Sequence, residues 1–143
     1  MSRIIRVFEG HFKKGMSLTP HQTSIEHQIM ARSKVLDVAP GILILFRIFN
    51  NFKGYIKVHY ELDSVNDINP MGMLHGGMTA TLMDSITTWC NFVSREGHAG
   101  VTTDLSVSYL KGIDPKKHPT VTLVGRVDQE GLIIWKTENE LPV

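Results

Sequence analysis

The chain has a single cysteine, Cys90, so it can form neither an internal disulfide nor a cysteine cage around a metal. A reducing compartment is the simple expectation. Its longest apolar run, Ile42 to Phe49, is broken by Arg47 and is far shorter than the roughly 20 residues that cross a bilayer, so no membrane-spanning helix is expected. Charge of one sign is equally scarce. The 15 Lys and Arg stand against 14 Asp and Glu, a net charge of +1 with no basic face to suit DNA or RNA. Seven histidines, at 11, 21, 27, 59, 75, 98 and 118, show no HExxH or related spacing, and no metal site is expected. The sequence also lacks a Gly-x-Ser-x-Gly elbow, a P-loop, a dinucleotide fingerprint, internal repeats and low-complexity tracts. What is left is 143 residues, 42% hydrophobic and 20% charged, a composition that fits one globular domain rather than a disordered or fibrous chain.

Hydrophobic spacing predicts the elements. The first 15 residues intersperse Arg3, Arg6, Lys13 and Lys14 with Ile4, Ile5, Val7, Phe8 and Phe12, which reads as a surface helix or, in a second reading, an organelle-targeting segment. Pro20 and the residues after it are expected to be helical, with Thr19 as N-cap. Residues 1–33 are thus taken as an N-terminal helical extension and 34–143 as the main domain. Lys34 to Val38 reads as a short strand closed by the Ala39-Pro40-Gly41 turn, and residues 42–52 as a weakly alternating segment. Tyr55 to Leu62 alternates, with Ile56, Val58, Tyr60 and Leu62 on one face, so a half-buried strand is predicted. Gly76 to Val93 repeats Met78, Leu82, Ile86, Trp89 and Val93 at helical spacing. Its other stripe, Thr81, Asp84, Ser85 and Thr88, is small and polar, as on an enclosed helix. Three more strands follow, at Val101 to Leu110, Thr120 to Val127 and Leu132 to Thr137. One long helix among mostly antiparallel strands predicts an α+β sheet wrapped on a helix.

The stretch NPMGMLHGGMTATLMD, residues 69–84, carries the chemistry. The first N–H groups of a helix lack intrahelical partners and lie at the positive end of its dipole, so they attract an anionic or polarised oxygen. Gly76 and Gly77 remove the side chains that would keep a ligand from those donors. Asp84 is the only acidic residue between Asp67 and Glu96, and an enclosed carboxylate needs either partners or a task. The same residues have a bland reading: a tight helix start at Gly76-Gly77, a capping His75, and an Asp84 bonded to Thr81 or Thr88. Cys90 lies mid-helix among apolar neighbours and reads as packing rather than as a nucleophile.

This segment resembles the active-site motif of hotdog-fold acyl-coenzyme A thioesterases, in which Asn-x-x-Gly-x-x-His-Gly-Gly is followed by an acidic residue nine positions after the His. The matching residues are Asn69, Gly72, His75, Gly76, Gly77 and Asp84. The most similar group is acyl-coenzyme A thioesterase 13, also called thioesterase superfamily member 2, which is related to the bacterial phenylacetate-pathway thioesterases. The likeness extends through GVTTDLSVSYL at 100–110 and, more faintly, through KVLDVAPG and VTLVGRVDQEG.

The resemblance implies a hotdog fold and hydrolysis of medium- or long-chain acyl-CoA to fatty acid and CoA, without cofactor or metal. It implies a homodimer or dimer of dimers, while the single cysteine and the basic N-terminal segment lead to an expected location in the cytoplasm or, in the second reading, in mitochondria. Gly76 N–H would polarise the thioester carbonyl with help from His75 and Gly77, and Asp84 of the facing subunit would be general base or nucleophile. Asn69 would hold water or the thioester, and Thr102 falls where the group commonly has a water-orienting Ser. Arg95, Lys111, Lys116 and Lys117 are the candidates for the CoA phosphates.

Two departures stand out. Residues 42–52 resemble an insertion, and the chain stops at ENELPV, where relatives continue through one more strand. The alternative they raise is a non-catalytic acyl-CoA-binding or truncated subunit acting in hetero-oligomers. A hotdog hydratase is disfavoured because its Asp and His pair is not visible.

Overall fold

The computed structural model describes residues 10, 24–40, 52–94, 101–128 and 133–137. The N-terminal basic segment, Thr19, Pro20, the run Ile42 to Phe49, Arg95 and the ENELPV end all lie outside the described residues.

Helix α1 (Ile25–Ala31) starts at Ser24, whose hydroxyl accepts from the His27 N–H at 3.3 Å. Ser24 is its N-cap, because its extended backbone and short hydroxyl satisfy a first-turn donor. The helix ends at Arg32, and strand β1 (Ser33–Pro40) follows directly, with the Ser33 hydroxyl returning to the Ile29 carbonyl at 2.7 Å.

Strands β1, β2 (Phe52–Glu61), β3 (Thr120–Asp128) and β4 (Ile133–Thr137) form an antiparallel sheet in chain order. Helix α2 (Gly76–Ser94) crosses one face of it. The predicted α+β class holds, with the sheet packed on a central helix. Alternation in β2 is read out directly: Ile56, Val58 and Tyr60 are fully buried, and Leu62 packs against the same core. Opposite them α2 contributes Leu82, Ile86, Trp89 and Cys90, while β3 adds Val121, Leu123 and Val127. Burying each such aliphatic side chain stabilises the fold by about 1.5–3 kcal/mol, so this shared core fixes the helix on the sheet. The closest approach is at Gly125. A Cβ there would lie 3.1 Å from the Cys90 Cβ, the Ile56 Cγ2 and the Ile86 carbonyl oxygen.

The polar stripe of α2 is partly enclosed, as its composition predicts. Ser85 is buried and its hydroxyl donates to the Glu26 carboxylate of α1 at 2.7 Å.

The predicted strand at Val101 to Leu110 does not form. Residues 101–110 belong to no ladder among the described residues and are largely exposed, with Val101 at 90% and Leu110 at 92%. Alternation alone cannot make a strand; the backbone needs a neighbouring edge to bond, and within this chain the segment runs beside α2 instead.

Candidate active site

Residues 67–75 form a small hairpin that delivers the chain to α2. The His75 N–H donates to the Asp67 carbonyl at 2.7 Å, Ile68 bridges Leu74, and the Asn69 N–H donates to the Met73 carbonyl at 2.7 Å. At the tip, Asn69-Pro70-Met71-Gly72 is a β-turn closed by the Gly72 N–H donating to the Asn69 carbonyl at 2.9 Å. Asn at the first position and Pro at the second suit such a turn, and Gly72 adopts a φ of 76° that side chains disfavour. The Asn69 side-chain oxygen accepts from the N–H groups of Met71 (2.9 Å) and Met73 (3.1 Å). Its oxygen therefore holds the loop, which leaves only its amide N–H donors to meet a ligand.

His75 caps the helix. Its Nδ1 accepts from the Gly77 N–H at 2.9 Å, which puts the proton of the neutral ring on Nε2, and a Cβ at Gly77 would meet that ring at 3.0 Å. A side chain at 77 would crowd the imidazole, and the Gly77 N–H is already engaged by it. With the His75 and Gly77 amides taken, Gly76 and Met78 carry the remaining first-turn donors.

Asp84 is half-buried two turns further on. The Thr102 hydroxyl donates to its Oδ1. The Thr81 hydroxyl does not make the expected intrahelical contact to this carboxylate but donates to the Gly77 carbonyl at 2.9 Å, and the Thr87 hydroxyl donates to the Asp84 carbonyl, also at 2.9 Å. At the other end of the same segment the Tyr109 hydroxyl donates to the Gly76 carbonyl at 3.0 Å, with its ring in van der Waals range of a Cβ built at Gly76. Residues 102–109 are therefore clipped alongside the first half of α2 at both ends. Tyr109 is thus a neighbour of the Gly76 end of α2 that was not among the expected site residues.

The lysines lie on the loop after this segment. The Leu74 N–H donates to the Ile113 carbonyl at 2.8 Å, which brings Lys111 close in sequence to the hairpin contact, while Lys111, Lys116 and Lys117 are all exposed. Among the described residues no group of three or more His, Cys, Asp or Glu could hold a metal, and no helix is long and apolar enough to cross a membrane. Burial pushes the Cys90 thiol up to about 12, which makes it inert as a nucleophile.

The family model of the thioesterase superfamily matches residues 71–139, a stretch that includes the His-Gly-Gly start of α2 and Asp84 two turns along. The fold is similar to that of zebra fish thioesterase superfamily member 2, with a TM-score of 0.60 and 21% identity, covering 94% of this chain and 84% of that one. Human acyl-coenzyme A thioesterase 13 is 43% identical over 83 residues, which is 58% of this chain and 49% of the human protein. The mouse protein of the same name is 45% identical over 42 residues, 29% of this chain and 30% of its own. The chain thus spans half or less of the length of these curated relatives. Residues 71–139 are thus similar to the thioesterase superfamily, and the fold is the hotdog fold seen in that zebra fish protein.

Proposed function

We propose that this protein hydrolyses acyl-CoA thioesters to a free acid and CoA. The observation that carries the reading is Asp84, the one carboxylate facing out of the first half of α2, bonded to Thr102 on a helix whose Gly76 amide remains open. The Gly76 N–H receives the thioester carbonyl oxygen as it gains negative charge, and one such donor is worth about 2.7–4 kcal/mol in a transition state. The His75 Nε2–H is the second donor in this reading. Asp84 takes a proton from water, whose oxygen bonds to the carbonyl carbon, and that proton goes to the departing CoA sulfur as the C–S bond breaks; or Asp84 attacks the carbon directly, CoA leaves as the thiolate, and water then hydrolyses the mixed anhydride, which frees the acid and Asp84 and supplies the proton that the thiolate takes up.

Gly76 and Asp84 are eight residues apart on one helix, about 12 Å along its axis, too far to act on one carbonyl group. Two copies solve this. If two α2 helices lie antiparallel about a two-fold axis near Ala80, Gly76 of each meets Asp84 of the other, and two equivalent sites form. The exposed segment 101–110, clipped beside α2 with its backbone outside any ladder, fits the same arrangement by offering an edge to its copy. Lys111, Lys116 and Lys117 supply cations for the CoA phosphates, with Arg95 as a further candidate, and medium- or long-chain acyl groups are the substrates to try first.

The direct test is thiol release from a panel of acyl-CoAs by purified protein of determined size. Turnover by the dimer supports the reading. Binding of acyl-CoA without thiol release by a well-folded dimer would replace it with that of a non-catalytic acyl-CoA-binding subunit.

A further inference from the structure

The described residues hold one ion pair with a buried member, and it lies at the root of the hairpin that carries His75. Asp67 is 2% exposed. Arg32 grips its carboxylate with both guanidinium nitrogens, at 2.6 and 3.1 Å, while the Tyr60 hydroxyl (3.0 Å) and the Asp63 N–H (2.8 Å) donate to Oδ2. The guanidinium also lies over the Tyr60 ring, 4.8 Å from its centroid. Arg32 is itself tied to the sheet, since its carbonyl accepts from the Glu61 N–H at 3.0 Å. A forked guanidinium on a carboxylate is geometrically specific, so this contact fixes an orientation as well as a charge.

The backbone of the same residue holds the site. The Asp67 carbonyl receives the His75 N–H at 2.7 Å, and the next residue contributes the open Gly76 amide. Side-chain contacts to Arg32, Tyr60 and Asp63 therefore determine where one carbonyl sits, and that carbonyl determines the direction in which the chain enters α2. We propose that Asp67, clamped by Arg32 and Tyr60, is the positioning residue that aims the Gly76 N–H and the His75 imidazole at the substrate. This rests on the hydrolase reading for its catalytic consequence, but not for the placement of His75.

The test uses Asp67→Asn, which keeps the shape but sets an NH2 group against its donors, together with Arg32→Lys and Arg32→Met. The expected result is a fall in kcat of about 10- to 100-fold in Asp67→Asn, the scale of a small misplacement of a reacting group. KM should stay within about twofold, since binding contacts are retained. Hydrogen exchange of the His75 amide should quicken at least about 10-fold while the β3 amides of Val121 and Leu123 keep their protection. Arg32→Lys should fall between wild type and Arg32→Met. Unchanged His75 exchange and kcat in a folded Asp67→Asn protein would overturn the proposal, as would loss of protection at Val121 and Leu123 in step with His75. If Asp67→Asn does not fold, the milder Arg32→Lys decides on the same signals. Should wild type release no thiol, the hydrolase reading fails, while exchange at His75 still decides whether Asp67 positions that residue.

Discussion

Thr102 donates its hydroxyl proton to the carboxylate of Asp84, eighteen residues earlier in the chain, and so holds the helix's one outward acid in a single orientation. That contact also explains how a partly enclosed carboxylate is tolerated. Replacing Asp84 with Asn should lower thioester turnover by roughly 10² to 10⁴, the usual contribution of a general base. Thr102→Val, which removes the hydroxyl and keeps the shape, should cost about 10- to 100-fold, the value of one hydrogen bond to a charged group, while Thr102→Ser should stay near wild type. Steady-state kinetics on one acyl-CoA checks all three.

The proposed sharing of sites between two copies predicts complementation. Gly76→Pro removes the open N–H at a helix position where proline is tolerated, so that variant alone should be nearly inactive, as should Asp84→Asn. Co-expressed, they should recover roughly a quarter of wild-type activity, because about half the dimers are mixed and each mixed dimer has one intact site of two. No recovery in size-verified mixed dimers would mean that each copy works alone or not at all.

Gly125→Ala should destabilise the fold without touching the site. The added methyl would press on the Cys90 Cβ, the Ile56 Cγ2 and the Ile86 backbone oxygen at once, and the oxygen cannot rotate away. A loss of about 1–3 kcal/mol is expected, read from a lowered denaturant midpoint with an unchanged slope.

Cys90 should resist a thiol reagent such as dithiobis(nitrobenzoic acid) at pH 8 in the folded protein and react at once in denaturant. Its folded value is raised from the ordinary 9.0 to about 12, so the stability it contributes is complete below pH 9.0 and is lost as pH climbs toward 12. Tyr60, held above its usual range by burial and then by Asp67, adds a loss of the same sign beyond pH 10.0. Cys90→Ala should therefore show a shallower, not absent, alkaline fall in Tm.

Much of the fold was legible because periodicity reports which face is buried. The β2 alternation placed Ile56, Val58 and Tyr60 correctly, and the spacing of Leu82, Ile86 and Trp89 placed α2 on the sheet. The site was legible only as residue types. Nothing local told that the Asn69 side chain folds back on Met71 and Met73, although Asn-Pro is itself a turn signal, or that Gly77 serves the His75 ring. Asp67 escaped notice because its partners Arg32 and Tyr60 are brought to it by the sheet, across 35 and 7 residues of sequence. Residues 101–110 have a strand's alternation, but whether a strand forms depends on what lies alongside, which a single chain's sequence does not contain.

The clipped segment has a kinetic corollary. Thr102 and Tyr109 pin it to its own helix, so in the proposed dimer two chains would meet with their edges already laid out, and association would need little folding. Catalytic output per milligram should then fall on extreme dilution and return promptly on reconcentration, a reversible loss that a permanently misfolded protein would never display.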